Sequence, residues 1–111
     1  MDFNEYQAET RRTRGNQDHD SGAFVCAALG AVGESAEISE HAKKVIFHGH
    51  AFDPDKVIEE VGDTLWYLAW LAELAGVTLA EVAERNLAKL RARYPDRFDP
   101  ERSIHRAENS S

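Results

Sequence analysis

One stretch, Ile58-Glu59-Glu60-Val61-Gly62-Asp63-Thr64-Leu65-Trp66-Tyr67-Leu68-Ala69-Trp70, constrains this chain more than any other. At about 100° per residue, Glu60, Asp63, Tyr67 and Trp70 fall within an arc of about 80° on one helix face. Two carboxylates are followed, one and two turns on, by two aromatic rings. Past Asp63 the helix is apolar almost all round, through Leu65, Leu68, Ala69, Leu71, Ala72 and Leu74, which predicts a central helix with half-buried acids. A buried carboxylate needs a proton, a cationic side chain or a metal ion. That face carries no Arg or Lys, so a metal ion is the leading expectation.

The segment before it repeats the pattern. A long helix is predicted from about Ser21 or Ala23 to about Phe47, with an apolar stripe of Phe24, Val25, Ala28, Leu29, Val32 and Ala36. On its other side Glu34, Glu37, His41 and Lys44 are spaced as Glu60, Asp63, Tyr67 and Trp70 are, and the preceding turns there are small: Ala23, Ala27, Gly30 and Ala31. Small residues let another helix come close. The helices therefore carry two carboxylate pairs at i, i+3, and acids that face each other across a bundle suit hard cations such as Mg²⁺ or Mn²⁺. The plainer alternative is that each pair lies on a solvated face. His48 and His50, with only Gly49 between them and no thiol near, read as loop residues rather than zinc ligands. Lys43 and Lys44 read as a solvated helix end, with phosphate contact the alternative.

The remaining punctuation is clear. Residues 1–14 predict a short packing helix capped by Asp2 or Asn4, with Phe3, Tyr6 and Thr10 at helical spacing. Asp53-Pro54 starts the central helix, Gly76 ends it, and Thr78-Leu79-Ala80-Glu81 is a capping box for a last helix that stops before Pro95. The short connection predicts antiparallel neighbours. Asn86 falls on the apolar side of that last helix, among Leu79, Val82 and Leu90, with Lys89 and Arg93 on its flank. It is either a structural amide or, with Lys89, a contact to a bound anion. The expected domain is therefore all-α and four-helix bundle-like over residues 1–98, followed by a polar, mobile tail over 99–111.

Composition narrows the function. A net charge of −7 and a pI near 5.1 argue against sequence-independent binding of a nucleic acid polymer, and no apolar segment approaches the roughly 20 residues of a membrane span. The single cysteine, Cys26, permits no internal disulfide and fits a reducing, cytoplasmic setting as a packed, inert thiol. The N-terminus lacks a basic-then-apolar signal pattern. At 111 residues the core has little margin, so oligomerisation would help. Trp66 lies on the polar side of the central helix, with Asp55, Glu59 and Glu73, which predicts a place at or near a subunit contact; the alternative is packing beneath the N-terminal helix against Phe3 and Tyr6.

Gly33-Glu34-Ser35-Ala36-Glu37, then Glu60-Val61-Gly62-Asp63 after a spacer of 22 residues, then Asn86-Leu87-Ala88-Lys89-Leu90-Arg91-Ala92-Arg93-Tyr94-Pro95 resemble the MazG-type all-α nucleoside triphosphate pyrophosphohydrolases. His48-Gly49-His50 and Leu65-Trp66-Tyr67-Leu68 look like a compact single-domain branch. Gly33 stands where the family's first acid motif often has a further Glu. The resemblance implies a homodimer or dimer of dimers and a Mg²⁺ site, with Mn²⁺ as a substitute, formed by Glu34, Glu37, Glu60 and Asp63 as catalytic residues. It also implies hydrolysis of a nucleoside or deoxynucleoside triphosphate to monophosphate and pyrophosphate. On this reading Asn86, Lys89, Lys44 and Arg93 contact the substrate, and Tyr67 or Trp70 walls the base pocket. The alternative from another class is a non-catalytic helical interaction module with a regulatory cation site.

Overall fold

The computed structural model describes residues 1–15 and 21–105, which are all-helical, with no strand among them. The helices are α1 (Phe3–Arg14), α2 (Ser21–Phe47), α3 (Pro54–Leu74), α4 (Leu79–Arg93) and α5 (Pro100–Ile104). Residues 1–79 form one compact, bundle-like unit and the chain from Ala80 a second.

Helices α2 and α3 run antiparallel. His41 Nε2 accepts a hydrogen bond from the Asp53 N–H at 3.0 Å near one end, and Gly30 lies against Tyr67 further along. Asp53 caps α3 as the sequence predicts, its carboxylate accepting from the Lys56 N–H at 3.3 Å, with Pro54 in the first turn. The end of α3 is also as expected: Gly76 has φ 82°, and the Val77 N–H reaches back to the Ala72 carbonyl at 3.0 Å.

The small side of α2 is its buried side. Ala23 and Ala27 pack with Trp70, around which Trp66, Tyr67, Leu71 and Leu74 gather. At Gly30 a Cβ would overlap the Tyr67 ring, so glycine there sets how closely the helices approach. The predicted apolar stripe is the side left uncovered: Phe24, Val25, Leu29 and Val32 are all exposed. Cys26 is exposed too, which corrects the expectation of a packed thiol; it sits off the face that carries Ala23 and Ala27.

Helix α1 is capped by Asp2, whose carboxylate accepts from the Glu5 N–H at 2.8 Å. It packs through a polar face rather than through Phe3, which is exposed: Gln7, Thr10 and Arg14 are its buried residues. Each is satisfied. The Gln7 amide donates to the Ala69 carbonyl at 3.1 Å and accepts from the Leu79 N–H at 2.9 Å, and Thr10 donates to the Gln7 carbonyl. Arg14 pairs with Glu73 beside Arg11 and stands 5.3 Å from the Trp70 ring centre.

In the second unit, Tyr94 and Phe98 are in ring contact and the Arg102 guanidinium donates to the Arg93 carbonyl at 3.3 Å. The short α5 begins at an Asp99 cap, inside the segment expected to be a mobile tail. The sequence also predicts a polar break at Gly15-Asn16-Gln17-Asp18 after the first helix; its residues 16–18, and residues 106–111 of the tail, lie outside the described residues.

Candidate metal centre

Two helices and one register bring the acids together. Glu34 comes from the middle of α2, and Glu60 and Asp63 come from successive turns of α3. One oxygen from each lies within 4.8 Å of the others. Glu60 is 8% exposed, and among the described residues its Oε2 has no hydrogen-bonding partner. A buried carboxylate oxygen without a partner is costly unless something binds there.

The electrostatics agree with that crowding. The Glu34 carboxyl is held above its ordinary value, chiefly by the hydrogen bond it shares with Glu60, then by burial, and further by the charges of Asp63, Glu60 and Glu37. Like charges at this range favour a proton on one of them. A bound divalent cation would do the same work for all three. The donor set is all oxygen and half-buried, which suits a hard cation.

Glu37 differs from the prediction. It is exposed and stands outside the converging group, although its charge reaches Glu34 one turn away. The expectation that no cation lies near the acids is corrected as well: Lys56, one turn before Glu60, places its Nζ 3.6 Å from Glu60 Oε1. At i, i+4 spacing it shares the helix face of Glu60 and Asp63, so that face does carry a cation.

A hollow of about 330 Å³ opens beside the acids, lined by Glu34, Asp63, Trp66 and Tyr67. Of the two aromatic residues expected at a base pocket, Tyr67 lines this hollow and Trp70 does not. Trp70 is 1% exposed and fills the space that Ala23 and Ala27 leave between α2 and α3. Lys44 lies ten residues past Glu34 on α2, about 15 Å along the axis, beside the connection to α3. Asn86 and Lys89 are exposed on α4 in the second unit, as are the flanking Val82 and Leu90, so Asn86 does not occupy the inner face expected for it. Arg93 is in the same unit and is partly covered beside Arg102.

Sequence reasoning missed Tyr6. Burial raises its phenol, and the charge of Asp63 raises it further, so α1 brings a hydroxyl near the acids. Only the spacing of Phe3, Tyr6 and Thr10 hinted at this side of α1.

A family model described as the MazG nucleotide pyrophosphohydrolase domain matches residues 27–98, more than half of the chain and the whole span from Glu34 to Arg93. Among curated proteins, the chain is similar to the Gene 37 protein of Mycobacterium phage L5, at 38% identity over 69 residues. That alignment covers 59% of this chain and 60% of the phage protein, so the chain spans less than two thirds of the length of that relative. No solved structure matches.

Proposed function

We propose a function from one premise: the chain belongs to the MazG nucleotide pyrophosphohydrolase domain family. It is a Mg²⁺-dependent hydrolase that cleaves nucleoside or deoxynucleoside triphosphates between the α and β phosphates, releasing monophosphate and pyrophosphate in a housekeeping role. The observation that supports this most is the convergence of Glu34, Glu60 and Asp63 around the unpartnered Glu60 Oε2, within the matched segment.

Glu34, Glu60 and Asp63 would hold the cation, and Glu37, whose charge already reaches Glu34, would complete the set once repulsion is offset. When bound, Mg²⁺ neutralises phosphate charge and lowers the pKa of a water. The chain supplies the rest. A nearby carboxylate takes a proton from the water that attacks phosphorus. Lys56 balances part of the site's negative charge from one turn before Glu60 on the same α3 face. Asn86, Lys89 and Arg93 are the proposed phosphate contacts of the second unit. The protein is proposed to work in the cytoplasm as a homodimer or dimer of dimers, with the exposed Phe24, Val25, Leu29 and Val32 side of α2 as the covered face.

The test is to incubate the protein with Mg²⁺ and a panel of nucleotides and measure pyrophosphate. Glu60→Gln and Asp63→Asn should each lower the rate at least about 100-fold, keep their helical circular dichroism, and lose the rise in melting temperature that Mg²⁺ causes in the parent. Near-normal rates in both variants would remove these acids from the site. A parent protein that releases no pyrophosphate from any nucleotide, and whose melting ignores divalent ions, would favour the interaction module.

A further inference from the structure

Trp66 stands beside the acids and has no part in the proposed chemistry. It lines the same hollow as Glu34, Asp63 and Tyr67, and it is half-buried rather than enclosed. Its ring is held from three directions. The indole Nε1–H donates to Thr13 Oγ1 on α1 at 2.8 Å, the Tyr67 ring meets it edge-on at 5.0 Å and 85°, and the Trp70 ring lies 6.0 Å away at 72°.

We propose that Trp66 is the stacking platform for the nucleobase and that Thr13 is the positioning residue that fixes its ring. The proposal rests on the nucleotide reading above and deepens it. The hollow, at about 330 Å³, is at the lower end of the size of small-molecule sites. Its acidic side takes cations, and phosphates follow cations, so its indole and phenol side is left for the flat, uncharged end of a nucleotide. Every base has a π-face, so stacking raises affinity without selecting strongly among bases. A platform works only if its orientation is set before the ligand arrives, and the hydrogen bond that Trp66 donates to a helix outside the matched segment 27–98 sets it here. The N-terminal helix is therefore part of the binding site in this chain.

Three variants test this: Trp66→Leu, Trp66→Phe and Thr13→Val, each assayed with purine and pyrimidine nucleotides. Trp66→Leu should raise KM about tenfold for both classes, with kcat within about twofold and the Mg²⁺-induced rise in melting temperature kept. Trp66→Phe retains a π-face and should rescue most of the loss. Thr13→Val should shift KM the same way by a smaller factor. A non-hydrolysable α,β-methylene nucleotide with Mg²⁺ should quench tryptophan fluorescence in the parent but not in Trp66→Phe, where only the buried Trp70 remains.

A folded Trp66→Leu with unchanged KM overturns the proposal, as does a variant that loses stability and kcat alone. Should Trp66→Leu not fold, unchanged KM in Thr13→Val together with no quenching in the parent overturns it. If the parent releases no pyrophosphate, the nucleotide-hydrolysis reading fails separately. Quenching that depends on Trp66 would then still support the platform, and its absence would reject it.

Discussion

Gly30 shows how a missing side chain can build a site. Tyr67 sits where the Gly30 Cβ would be, so the two helices close until Glu34 faces Glu60 and Asp63. A methyl group there must push the ring or the helix aside. Gly30→Ala should destabilise the fold by about 1–2 kcal/mol, the overlap outweighing the better helix propensity of alanine. A urea titration measures it, and a variant as stable as the parent would show that the ring moves freely. The acids illustrate the converse. Glu60 is buried because its helix is central; Lys56 reaches its first oxygen, and among the described residues the second has no hydrogen-bonding partner.

At the scale of elements, α1 is clamped to α3 by charge and amides rather than by an apolar seam. Burial alone would raise the Glu73 carboxyl, but the hydrogen bonds and charges of Arg11 and Arg14 outweigh it and hold it below its ordinary value. The folded state therefore binds this proton less tightly than the unfolded chain. Its stabilising contribution is complete above the unfolded pKa and disappears as pH falls through the folded one. Glu73→Gln should cost about 3 kcal/mol at neutral pH, because Arg14 is then left buried beside Trp70 without its counter-charge. The variant's stability should also fall less steeply with acid. Denaturation at a series of pH values checks both, and parallel acid limbs would remove Glu73 from the account.

At the scale of the whole molecule, the uncovered side of α2 is the dominant feature. Leu29 and Val32 are each 67% exposed, with Phe24 and Val25 nearby. Apolar surface gathered this way marks an interface in a soluble protein. Light scattering over a range of concentrations should report a homodimer or larger assembly. Leu29→Glu, which buries a charge if that face is covered, should weaken association about 100-fold or more. A parent that stays monomeric throughout, or a variant that associates equally well, would place the contact elsewhere. Among the described residues no single helix is long and apolar enough to cross a membrane.

Local chemistry determined much of this protein from its sequence alone. Caps and periodicity are short-range, so Asp2, Asp53-Pro54 and Gly76 mark helix limits that the fold respects, and the two acidic motifs announce their own faces. The family resemblance was legible for the same reason, since it lies in ordered short motifs. Packing choices were decided only by tertiary structure. Whether α2 buries its large apolar side or its small one depends on which partner surface is available, and the ring of Tyr67 selected the small one. Trp70 went to the core because Ala23 and Ala27 made room for it, which left Trp66 beside the acids. Glu37 stayed outside the cluster, and Tyr6 and Thr13 reached the site region from α1. Contacts between residues far apart in the chain depend on how helices cross, and no spacing within a single helix encodes that.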